Sequence, residues 1–328
     1  MEIETKPIRR HFSKLGLMYF LGTLILFGVQ LAISFVAVQL PFLDLYNMDI
    51  SLLISSLPMY LISMPLMCLL IRTVPASHID RHSMTFGQWF CAFVMCYAIM
   101  YLSNLVGVAM TFVIGIVKGS GVENALLDVV TGISPWTALF IMVLCAPVAE
   151  ELIFRKLLID RTVRYGEKTS ILFSGLFFGL FHGNLNQFVY AFMLGVFFGF
   201  IYVRTGKIRY TIAMHMCVNF LGSVAGMFLL NVSGYDEIMN AVGDPELFMD
   251  ILSEHFSGLL LLSLYGLAIL VFVIAGVICL AVNAKKMKLR PAEVQIPKGE
   301  FLSAAILNVG VILFALFWII QIILQLLE

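Results

Sequence analysis

Charge along this chain comes in clusters, and the clusters are separated by long apolar runs. An apolar run of about 18 residues or more with few charges is long enough to cross a bilayer as a helix. The pattern predicts such helices over roughly 15–40, 50–72, 86–117, 135–160, 169–184, 187–204, 210–231, 256–284 and 301–325. The spans 169–184 and 187–204 are short and are parted by the polar Gly183-Asn184-Leu185-Asn186. They are either two tight crossings or a hairpin that stops short of the far surface, so eight and nine spans both remain open. Gly175, Gly179 and Gly183 on one of them, and Gly195 and Gly199 on the other, form small-residue ridges of the kind that let helix backbones approach closely.

Composition sharpens this picture. The 328 residues are 61% apolar and only 12% charged, with a mean hydropathy of +1.00, whereas a water-soluble domain has about 25% charged residues. An ordinary soluble enzyme is excluded, and the expected fold is an all-α, polytopic transmembrane helix bundle. Net charge is zero, so nothing suggests nucleic acid as a partner. With the amino terminus in the cytoplasm and nine crossings, every Lys and Arg except Lys118 falls on the inner side. The segment 232–255 has no basic residue but carries Asp236, Glu237, Asp244, Glu246, Asp250 and Glu254. By the positive-inside rule this predicts a multi-pass membrane protein with a cytoplasmic amino terminus and an outward-facing acidic loop; the plasma membrane of a bacterium is the expected location. The six cysteines all fall in apolar runs without a CxxC pair, which reads as small buried hydrophobes. The first apolar run is too long for a signal peptide, so the first helix is expected to be retained.

Ionisable residues inside such spans are expensive and are functional candidates by default. Here they are Glu150, Glu151, His182 and His215, with Arg155 and Asn219 nearby, on three spans within residues 150–219. His11, His78, His82 and His255 fall in expected loops or at helix edges. Glu151 and Arg155 are four apart and can pair in the favoured order, leaving Glu150, about 100° round the helix, available as a base. Pro147 is expected to kink that helix or open its backbone hydrogen bonding. Phe178 and His182 share a helix face, as do His215 and Asn219. By contrast Gly132-Ile-Ser-Pro135, a bare G-x-S-x, reads as a helix start with Ser134 as cap and Pro135 in the first turn.

In order along the chain, Glu-Glu-x-x-x-Arg (150–155), Phe-x-x-x-His (178–182) and His-x-x-x-Asn (215–219) resemble the three motifs of the CPBP family, the Abi group. That group includes the type II CAAX prenyl endopeptidases and bacteriocin-processing or immunity proteins. The resemblance covers roughly residues 130–230 and implies an intramembrane endopeptidase of the glutamate type. In that reading Glu150 with His182 activates the attacking water. Glu151 and Arg155 orient Glu150, and His215 and Asn219 donate to the oxyanion. It divides the chain into amino-terminal helices (1–130), a catalytic core (131–232), the acidic loop (233–255) and carboxy-terminal helices (256–328). The implied partners are a peptide or prenylated protein substrate and the lipid bilayer.

No cofactor is required by this mechanism. Glu150, His182 and His215 would also serve as a zinc set, although the chain has no HExxH. A non-proteolytic membrane immunity or scaffold protein that keeps the motifs is the other alternative. A proton-coupled transporter should show paired halves, and none is visible. Counted from the basic flanks, Glu150 lies about 16 Å from Arg161, His215 about 9 Å from Arg209 and His182 about 21 Å from Lys168. These depths converge only if the span 169–184 tilts or begins outside the hydrocarbon. A water-accessible cavity in the cytoplasmic half is expected.

Overall fold

A computed structural model describes residues 5–122, 129–130, 132–297 and 299–327. Thr131, at the expected start of the core, and Lys298, one of the basic residues counted above, lie outside the described residues. Eight helices are long and apolar enough to cross a membrane: α1 (Thr5–Val38), α2 (Met48–Arg72), α3 (Phe86–Lys118), α4 (Pro135–Tyr165), α6 (Leu185–Thr205), α7 (Arg209–Val232), α10 (Phe256–Lys286) and α11 (Val309–Leu327). Between α4 and α6 lies α5 (Glu167–Phe181), with 15 residues, about 22 Å long at 1.5 Å per residue and short of the roughly 30 Å hydrocarbon thickness. No strand occurs among the described residues.

The helix α1 starts at Thr5, ahead of the expected position near residue 15, so His11 sits within it. Its first turns carry basic residues that bond to neighbouring segments: Lys14 Nζ donates to the Thr73 carbonyl at 2.9 Å. The same end of the bundle is laced by main-chain contacts between distant loops. Ser77 N donates to Asp160 O, His82 N to Thr205 O and Val294 N to Arg164 O, and Lys207 Nζ donates to Ser83 Oγ at 2.6 Å. The basic loops therefore share one end. At the other end, Ser134 N donates to Asp49 Oδ1 at 2.8 Å, tying the start of α4 to the start of α2. Ser134 is the N-cap of α4, its Oγ accepting from Thr137 N, with Pro135 in the first turn. The acidic stretch at this end is more ordered than a loop. It folds into α8 (Tyr235–Asn240) and α9 (Pro245–Glu254), the latter capped by the Asp244 carboxylate.

Two apolar layers meet around α4–α6. One joins α1, α2, α4, α5 and α11 through Tyr19, Phe154, Phe177 and Phe314, with Phe177 and Phe314 stacked at 4.3 Å between ring centroids. The other joins α3, α6, α7 and α10 through Tyr97, Phe198 and Met214. The hairpin of α5 and α6 lies between them. A Cβ at Gly195 would stand 2.7 Å from Gly175 Cα. Only hydrogen atoms at both positions allow that backbone approach, which bears out the reading of the glycine ridges as packing surfaces. The six cysteines are free thiols, Cys68 and Cys96 buried and the others half-buried.

Candidate active site

Helix α4 carries the Glu pair at its midpoint, and its backbone is irregular on both sides of it. Residues Ala138–Cys145 and Leu152–Leu157 form wide π-type turns around the α-helical Ala146–Glu151. Pro147 has no N–H to give, and the turn before it widens so that Ala146 N donates five residues back, to Ile141 O. Wide turns leave carbonyls open to side-chain donors, and three of these are taken here. Asn219 Nδ2 donates to Met142 O at 2.7 Å, Tyr19 OH to Ile153 O at 2.7 Å and Ser174 Oγ to Phe154 O at 2.8 Å. The expected disturbance at Pro147 is thus a pair of π turns, each clamped by a neighbouring helix.

Around this frame the motif residues assemble. Glu151 and Arg155 are both fully buried, with Arg155 Nε 3.1 Å from Glu151 Oε2. The other carboxylate oxygen, Glu151 Oε1, lies 3.1 Å from His215 Nδ1. An ionised carboxylate only accepts, so Nδ1 carries the proton and donates. His215 Nε2 then faces Glu150, 3.8 Å from Oε2. Glu151, paired with Arg155, thus holds His215, a contact that the expected roles, in which the two orient Glu150, did not include. His182 is anchored separately. Its Nδ1 is 2.8 Å from the Phe178 carbonyl, to which it donates, leaving Nε2 as the unprotonated ring nitrogen.

Phe178 links these groups. The Arg155 guanidinium lies 4.1 Å from its ring centroid, an arrangement that offsets part of the cost of burying the charge. The ring also meets His182 edge-on at 4.7 Å and His215 edge-on at 5.8 Å. The sequence marks Phe178 as sharing a face with His182 and as part of the Phe-x-x-x-His motif; its contacts make it the packing centre of the site.

Glu150, Phe178, His182, His215 and Asn219 line one cavity of about 490 Å³. Glu151 and Arg155 do not line it and lie behind it. The depths reconcile at the turn: Gly166, the positive-φ residue joining α4 to α5, is sixteen residues from Glu150 and sixteen from His182. Antiparallel neighbours counted from a shared turn reach the same level, so no unusual tilt is needed. Sequence reasoning missed Tyr60 on α2, Asn104 on α3 and Gln187 and Tyr190 on α6, all of which line the cavity. The amides at 104 and 187 in apolar runs were a usable signal; the tyrosines were not.

The position of the cavity corrects one expectation. Its α4 residues run from Glu150 back toward the start of that helix, and its α3 residues run from Met100 to Val108, toward the far end from Phe86. It reaches from His215, six residues from Arg209, past Glu150 toward the ends of α3 and α4 away from the basic loops, so it is not confined to the half that carries them.

Residues 132–221 match the family model described as type II CAAX prenyl endopeptidase, Rce1-like. This region resembles that family. A Bacillus subtilis (strain 168) protein named "Putative membrane peptidase YdiL" is 29% identical over 124 residues, 37% of this chain and 49% of that protein. The chain thus spans about half the length of the curated relative it matches. No solved structure matches. With eight apolar helices of spanning length and a relative named as a membrane peptidase, the chain is a multi-pass membrane protein.

Proposed function

We propose that this protein is an intramembrane endopeptidase of the glutamate type. The observation that carries the reading is the convergence of Glu150, His182, His215 and Asn219, from three helices, on one cavity. Peptide hydrolysis needs a base for water, donors for the developing oxyanion and a proton for the leaving amine. Glu150 takes a proton from water while the water oxygen bonds to the scissile carbonyl carbon. The unprotonated Nε2 of His182 accepts from that water's second hydrogen and holds it in place. The carboxamide of Asn219 has one N–H committed to Met142 O, so its second N–H serves the tetrahedral oxygen. His215, fixed by Glu151 and Arg155, shares the proton that Glu150 gains through its Nε2. When the C–N bond breaks, that proton passes to the departing amine.

No step is routed through a metal. Among the described residues no set of three His, Cys, Asp or Glu side chains comes together in a form that could hold an ion. The substrate we propose is a peptide or prenylated protein segment presented at the membrane. The deciding experiment incubates purified protein in detergent with prenylated CAAX peptides and with unmodified peptides, beside Glu150→Gln. Removing a general base costs about 10²–10⁴-fold, so turnover should fall by that factor while thermal unfolding is unchanged. Equal cleavage by the variant rejects the role of Glu150. Exhaustive chelation should leave the wild-type rate intact; a loss restored by zinc would replace this mechanism with a metal-dependent one.

A further inference from the structure

The direction in which the site is open is written into the helix positions. On α4 the lining runs from Glu150 back to Ile141, toward the end carrying Lys118 and the acidic helices, while on α5 and α6 Phe178 and Leu194 reach below Glu150's level. On α7 the lining runs from His215 to Ser223, away from Arg209; on α6 it runs from Asn186 to Leu194, the half away from Thr205. Toward the basic loops, the side chains next to the site are buried. Glu151 and Arg155 are fully buried there, and Phe154, Phe198 and Met214 are closed over without exposure.

The short hairpin explains the opening. The Asn186 carbonyl packs against Gly107 of α3, 3.4 Å from where a Cβ would stand. Gly107 is eleven residues short of the end of α3 at Lys118, about 17 Å of helix. The tip of α5 and α6 therefore stops well below that end, leaving the last eleven residues of α3 without the hairpin beside them. The basic loops, bonded to one another at the opposite end, mark the cytoplasmic side by the positive-inside rule.

We infer that the site is reached from the non-cytoplasmic side, so that its substrates are peptide segments presented at the outer face of the membrane, not chain ends presented in the cytoplasm. The substrate part of this inference rests on the peptidase reading above; the direction of access does not. The full-length protein, with its six native cysteines replaced by alanine, is given one new cysteine in the cavity wall (Val108→Cys or, separately, Gly222→Cys) or at the basic end (Lys285→Cys). Each is exposed to a membrane-impermeant maleimide in spheroplasts and in inside-out vesicles. Wall cysteines should label in spheroplasts and lose labelling in inside-out vesicles, with Lys285→Cys showing the reverse. Wall labelling confined to inside-out vesicles, or from neither side, overturns the inference, as does labelling of Lys285→Cys in spheroplasts. An impermeant, non-prenylated peptide that is cut in detergent should be cut by spheroplasts and spared by inside-out vesicles bearing the wild-type chain. Cleavage with the opposite sidedness overturns the substrate assignment. Absence of cleavage in detergent rejects the peptidase reading while the labelling still decides the direction of access.

Discussion

At the scale of single residues, the site is a buried charge pair with working groups in front of it. Glu151 and Arg155 are fully buried and 3.1 Å apart. Breaking such a pair strands a charge, which costs about 3–5 kcal/mol, whereas replacing both partners with apolar residues of similar volume is often neutral. Arg155→Met should therefore lower the unfolding temperature in detergent sharply. The double variant Glu151→Leu/Arg155→Met should recover stability but not turnover, because His215 loses the carboxylate that holds its Nδ1. Full activity in the double variant would show that His215 needs no such support. The identities of Glu150, Glu151, Arg155, His182, His215 and Asn219 were legible in the sequence because ionisable and amide groups stand out in apolar helices. Their partnerships were not. Which group Glu151 orients depends on where α7 places the His215 ring, and i,i+4 spacing within α4 says nothing of that. Phe178, one phenylalanine among 28, carries no compositional signal and stood out only through its place in the Phe-x-x-x-His motif.

At the scale of helices, positions followed the hydropathy pattern, and what it could not convey was regularity. Two π turns in α4 expose the carbonyls of Met142, Ile153 and Phe154 to donors on α7, α1 and α5. Only Pro147 hinted at this. The hairpin is the element most open to test. At Gly195 a Cβ would meet the Gly175 backbone at 2.7 Å, and backbone cannot yield as a flexible side chain does. Gly195→Val should cost about 1–3 kcal/mol through overpacking, part α5 from α6 and move His182 out of register. Activity should then fall further than unfolding temperature alone accounts for. Gly28→Val, where a Cβ would meet nothing within 4 Å, is the matched control and should change neither. Equal effects of the two substitutions would discount the hairpin contact.

At the scale of the whole molecule, the sequence separates the two ends of the bundle by charge, and the contacts among the basic loops agree with that separation. The direction of the cavity was hidden because it depends on how far the tip of α5 and α6 rises beside α3, a tertiary quantity. Helices outside the motif-bearing region also prove to be part of the site's support. At the tip, Gly183 follows His182 with φ of 66°, and a Cβ there would stand 3.1 Å from the Trp318 ring of α11. The indole thus acts as a doorstop behind the imidazole, more than a hundred positions along the polypeptide. Trp318→Ala would leave the motifs untouched yet let that turn swing, so screens that score only signature positions would overlook a class of inactive variants clustered in the final membrane helix.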